Sequence, residues 1–65
     1  MKLMVNGETK ECAPLSVTGL LAELGIDPLR VAVELNRSIL PKGDYETTSL
    51  KDGDSIEIVH FVGGG

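Results

Sequence analysis

The chain closes on Gly63, Gly64 and Gly65, directly after the strand-like run of residues 56–62. Glycine loses more freedom on ordering than any other residue, so a triple at one end needs a reason. Extended, three residues reach about 10 Å, at ~3.3–3.6 Å each. A thread without Cβ atoms can enter a channel that any side chain would block. It ends in the carboxylate of Gly65, a group that titrates near a pKa of about 3.5 and is ionised at neutral pH. Such a carboxylate can attack the α-phosphate of ATP when another enzyme supplies the site. The acyl-adenylate formed makes the terminal carbonyl reactive. Gly65 is therefore the candidate for covalent modification, and Gly63 and Gly64 are the candidate thread into a partner's active site. Ordering the thread costs roughly 1–2 kcal/mol per residue, so docking of the folded body has to supply the compensating affinity.

The other chemistry-bearing residues are sparse. His60 is the single histidine and Cys12 the single cysteine. A Ser/His/Asp set, a Cys/His metal cluster and a phosphate-binding glycine loop are all missing from the sequence. Asp52 and Asp54 flank Gly53, but the other ligand positions of a calcium loop do not follow, so this segment reads as a polar turn. Cys12 reads as a small, half-buried apolar residue and His60 as a surface or interface residue. No catalytic residue and no metal ligand is assigned.

The tail has to be presented by something. "KLMVN" reads as a strand, Asn6-Gly7 as a tight hairpin turn, and "ETKECA" as the return strand, ended by Pro14. In "SVTGLLAELG", Val17, Leu20, Leu21 and Leu24 form one apolar stripe at helical spacing. Ser16 is the expected N-cap and Gly25 the expected stop. "VAVELN" alternates as a strand, Asn36-Arg37-Ser38 turns into a short strand at Ile39-Leu40, and residues 41–49 read as polar, irregular chain with at most one helical turn. "KDGD" is a turn before the last and longest strand, "SIEIVHFV". A hairpin, a crossing helix and further strands predict an α+β domain. The expected arrangement is a β-grasp: a mixed sheet of four or five strands with one main helix on one face. Residues 1–62 make the domain and residues 63–65 a flexible tail.

On the last strand, alternation puts Ile56, Ile58, His60 and Val62 on one side and Glu57, Val59 and Phe61 on the other. With the isoleucines facing the helix, Val59 and Phe61 point to the uncovered face. They are the candidate docking surface for a partner.

Composition narrows the classes. Sixty-five residues make one domain, burying roughly 60% of the surface of its unfolded chain. The net charge is −4, from 10 acidic and 6 basic residues. That argues against nucleic acid and anionic membranes as partners and suits a basic protein surface. No apolar run approaches the ~20 residues of a membrane helix, and one cysteine forms no internal disulfide. The expectation is a soluble, cytoplasmic protein, a monomer on its own.

The Asn-Gly hairpin, "VAVELNRSILP" and "LKDGDSIEIVHFVGGG" together resemble the ubiquitin-like sulfur carriers, and within them the thiamin-biosynthesis carriers of the ThiS family. The resemblance covers nearly the whole chain and implies a carrier, not an enzyme. It implies that a ThiF-like partner using ATP and Mg²⁺ adenylates the C-terminal carboxylate, and that sulfur from a cysteine desulfurase turns it into a thiocarboxylate. A ThiG-like thiazole synthase then receives the sulfur. The family's glycine pair maps onto Gly64 and Gly65, with Gly65 reacting; Gly63 is an addition to the minimal Gly-Gly ending. No cofactor is expected on the chain itself. Two neighbouring readings share the adenylation step: a carrier for another pathway, like the small subunit of molybdopterin synthase, and a ubiquitin-like modifier joined to lysines of target proteins. A plain interaction module with a flexible end is a further alternative.

Overall fold

A computed structural model describes residues 1–61; the expectations placed on Val62, Gly63, Gly64 and Gly65 lie outside those residues. The first hairpin forms as its turn dipeptide predicts. β1 (Lys2–Val5) and β2 (Glu8–Glu11) pair antiparallel, with Val5 opposite Glu8. Asn6 and Gly7 take φ of +50° and +82°, the left-handed pair that matches strand twist in a two-residue hairpin. β2 is shorter than expected. Cys12 lies just beyond it, half-buried, with its amide donating to the Met1 carbonyl at 2.9 Å.

Helix α1 (Val17–Glu23) starts at Ser16, whose Oγ accepts from the Gly19 amide at 3.1 Å. Val17, Leu20 and Leu21 are buried, whereas Leu24, the fourth member of the stripe, is 37% exposed. The helix ends at Glu23, Leu24 is the C-cap, and Gly25 at φ +72° turns the chain away. Two turns suffice to cross the sheet, so the stripe outruns the surface it covers. Asp27 then caps a 3₁₀ turn, Pro28–Arg30, by accepting from the Leu29 amide at 2.9 Å.

β3 (Val31–Leu35) and β4 (Ser38–Leu40) form a second hairpin. Its turn residues, Asn36 and Arg37, have φ of +50° and +73°. Residues 41–49 hold one 3₁₀ turn, Lys42–Asp44, as expected. The segment is nevertheless tied in: Tyr45 is 3% exposed. The Val17 amide donates to Thr48 O at 3.0 Å and the Thr18 amide to Tyr45 O at 3.1 Å. These carbonyls satisfy first-turn amides that have no partner within a helix.

β5 (Ser55–His60) is the longest strand and occupies the middle of the sheet, whose order is β2-β1-β5-β3-β4. It runs parallel to β1 and antiparallel to β3. Leu3, Val31, Val33, Ile56 and Ile58 meet Val17, Leu20 and Leu21 in one aliphatic core. Burying each such side chain is worth roughly 1.5–3 kcal/mol. This is the expected β-grasp in its five-stranded form: among the described residues, one α-helix on one sheet face and none on the other.

Candidate functional site

The register settles which side chains share the uncovered face. Val59 faces Ala32, and Glu57 faces Glu34, whose other neighbour is Ile39 on β4. On the β1 side the same face carries Met4, which pairs with Ser55. Val59 is 56% exposed, Phe61 59% and Ile39 78%. An apolar strip with this much exposure leaves its hydrophobic contribution unused in the isolated chain. Val59 thus stands where the alternation predicts, and Phe61, one residue beyond β5, is exposed; Met4 and Ile39 lie on the face of Val59, on either side of Glu57 and Glu34. Neither could be placed from the sequence, because pairing partners come from tertiary structure.

Glu34 and Glu57 are cross-strand partners, an arrangement that costs stability when both carry charge. Among the described residues the ion pairs are Lys10 with Glu23 at 3.9 Å and Arg30 with Asp27 at 3.5 Å. Neither relieves this pair. The uncovered face is therefore apolar with an acidic centre, which suits a basic partner surface.

Phe61 is held at the exit of β5. Its amide donates to Arg30 O at 2.9 Å, extending the ladder one residue beyond β3. The Lys42 ammonium stands 5.0 Å from the centroid of its ring and 5.8 Å from that of Tyr45. The same ammonium donates to the carbonyls of Pro28 and Val31. Lys42 so gathers the turn before β3, the start of β3 and the end of β5. In the sequence it looks like an ordinary loop lysine, with no periodicity to single it out.

Of the remaining candidates, all but His60 are kept apart from this exit. Asp52, Asp54 and Cys12 lie at the opposite end of the sheet, where β5 begins: Asp52 Oδ1 accepts from the Lys2 amide at 2.6 Å, and Cys12 pairs with Met1. Asp54 accepts from the Lys51 amide at 2.8 Å and from Asn36 Nδ2 at 3.0 Å. These carboxylates are turn-forming groups. His60 is exposed at the end of β5, remote from Cys12. Among the described residues no group of three or more His, Cys, Asp or Glu could hold a metal. Among those residues no helix is long and apolar enough to cross a membrane.

A five-stranded sheet grasping one helix, with its central strand leading out beside an exposed apolar strip, defines a small ubiquitin-like β-grasp protein. The sequence matches the model of the ThiS family over residues 3–65, and the chain belongs to that family. It is similar to the crystal structure of the thiamine biosynthesis protein ThiS from Geobacter metallireducens, with a TM-score of 0.87, 39% identity and full coverage of both chains (100% each). It is 46% identical over 50 residues to the sulfur carrier protein ThiS of Bacillus subtilis, covering 77% of this chain and 76% of that one. It is also 50% identical over 66 residues to a thiazole synthase of Paramagnetospirillum magneticum, which takes in 100% of this chain and 20% of that protein. The chain thus spans only 20% of the length of the thiazole synthases it matches.

Proposed function

We propose that this chain is the sulfur carrier of thiamin biosynthesis. The observation that carries the reading is the exit of β5: an exposed apolar pair, Val59 and Phe61, stands just ahead of the terminal glycines, with Val62 between. Membership of the ThiS family supports it. Docking of the sheet face supplies the affinity, and residues 63–65 act as a tail, separate from the domain, that delivers the carboxylate.

The chemistry belongs to the partners. In a ThiF-like enzyme holding ATP and Mg²⁺, a Gly65 carboxylate oxygen bonds to the α-phosphorus and pyrophosphate leaves. A sulfur nucleophile, drawn from cysteine through a desulfurase, adds to the activated carbonyl and AMP leaves. When the donor is a persulfide, a thiol then reduces the acyl disulfide and releases the thiocarboxylate. Sulfur held this way remains nucleophilic without escaping as free sulfide. The chain itself contributes recognition and reach rather than a catalytic group.

A ThiG-like thiazole synthase is the proposed recipient. Support comes from relatives named thiazole synthase in which a stretch similar to this chain makes up 20% of the length, since covalent linkage raises the effective concentration of two modules that must meet.

The test is intact-mass spectrometry after incubation with a ThiF-type enzyme, MgATP and a sulfur donor. Replacement of one terminal oxygen by sulfur is expected. An unchanged mass, or a chain joined to lysines of other proteins, overturns the assignment; the second result would point to a protein modifier.

A further inference from the structure

The two sides of β5 are not equally paired. Toward β3 the ladder runs from Leu35 opposite Ile56 to Val31 opposite His60, and the Phe61 amide adds a bond to Arg30 O at 2.9 Å. Main-chain groups alternate sides along a strand. Because Phe61 bonds toward β3, the N–H and C=O of Ile56, Ile58 and His60 point the other way, toward β1.

On that side the partner runs out. The parallel ladder holds only Met4 with Ser55 and Val5 with Ile56 before Asn6-Gly7 turns β1 back. The Asn6 amide then donates to Ile56 O at 2.9 Å. Its side chain takes Ile58: Oδ1 accepts from the Ile58 amide at 2.6 Å and Nδ2 donates to Ile58 O at 3.2 Å. Beyond Asn6, no described residue pairs with the main chain of His60. Elsewhere such overhangs are closed by side chains: Lys42 on Val31 O, Asn36 on the Ser55 amide, Asp52 on the Lys2 amide. Along β5, His60 is the position left open among the described residues, and it is exposed; the remaining open edges are the outer sides of β2 and β4.

We propose that the open edge at His60 accepts a strand from the enzyme that receives the C-terminal glycines. A short extended segment of that enzyme takes the place that β1 vacates, accepting from the His60 amide and donating to its carbonyl. The proposal rests on the carrier reading and deepens it. Residues 62–65 follow directly from this edge, and residues 63–65 have no side chains by which a partner could hold them. Main-chain hydrogen bonds are then the available directional grip, and a ladder begun at His60 sets its register. A second copy of this chain fits the edge poorly. Each copy carries a net charge of −4 and the facing Glu34–Glu57 pair, so pairing two such sheets brings like charges together. A segment flanked by Lys or Arg meets Glu57 favourably.

Amide hydrogen exchange, read by NMR on the full chain with and without a ThiF-type enzyme, tests this. In the free chain the His60 amide exchanges fast while those of Ile58, Val59 and Phe61 are protected; the enzyme slows His60 by at least about tenfold, the effect of one hydrogen bond of ordinary net strength. The variant His60→Pro deletes the donor without removing a ladder bond of the free chain, so the fold is kept. It weakens enzyme binding by about tenfold more than His60→Ala, which keeps the amide. Protection of His60 in the free chain, no added protection in the complex, or equal binding of the Pro and Ala variants overturns the proposal. So does protection that appears with rising carrier concentration alone, which would assign the edge to a second copy. Should His60→Pro not fold, the exchange result decides. Failure of the carrier reading shows separately, as absence of thiocarboxylate in the mass spectrum.

Discussion

The side-chain amide of Asn6 closes on both main-chain groups of Ile58, 52 residues further along the chain. A residue whose obvious duty is to turn the first hairpin also stands in for a missing strand residue beside β5. The amide and the left-handed φ of +50° are separate demands, and asparagine meets both.

Asn6→Ala loses two hydrogen bonds, strands half-buried main-chain groups and strains the turn. The expected cost is roughly 2–4 kcal/mol. For a domain of this size that lowers Tm by about 10–20 °C, at ~4–8 °C per kcal/mol. Asn6→Gly relieves the backbone but not the missing amide, and recovers only part of the loss. Thermal unfolding by circular dichroism reads both; equal losses would show that the amide contacts carry the whole effect.

Tyr45 is expected to behave as a core residue although it sits in a polar segment. Tyr45→Ala opens a cavity beneath residues 41–49 and loosens the segment that accepts from the Val17 and Thr18 amides. A loss of about 3–5 kcal/mol is expected, much of the stability such a small domain has. Urea titration of the variant is the check, and a loss below about 1 kcal/mol would place the ring at the surface.

The carboxylates of the Asp-Gly-Asp turn are already engaged. Asp54→Ala removes acceptors for the Lys51 amide and Asn36 Nδ2, and should cost roughly 1–2 kcal/mol. Millimolar calcium should leave Tm unchanged. A calcium-dependent rise in Tm, abolished by Asp54→Ala, would convert the turn into a metal site.

Phe61→Ala should separate binding from stability. The ring is 59% exposed, and its contact with the Lys42 ammonium is worth about 0.5–1 kcal/mol in such a setting. Tm should fall by only a few degrees, while affinity for a ThiF-type enzyme, measured by calorimetry, falls about tenfold or more. The reverse pattern, unchanged affinity with a large drop in Tm, would make Phe61 a structural residue.

Chain-local features were legible in the sequence. Asn6-Gly7, the Ser16 cap, Gly25 and the alternation of β5 each express a preference that acts within a few residues, and each was read from its neighbours alone. Leu24 and Tyr45 were not. The apolar stripe continues through Leu24, but the sheet beneath it does not. Tyr45 lies in chain without periodicity, so its burial depends on elements far away in sequence.

The same division holds for the candidate site. By itself the sequence determined that Val59 points away from the helix and that Phe61 and three glycines come after it, because side-chain alternation is a property of a single strand. Only the tertiary structure decided what lies beside them: Met4 and Ile39 on the same face, Glu57 opposite Glu34, Lys42 over Phe61, and an edge left open at His60. Strand order and register set those neighbours. They arise when a parallel β1 ends at its turn while β5 runs on, a mismatch between two strands more than 50 residues apart that no local pattern encodes.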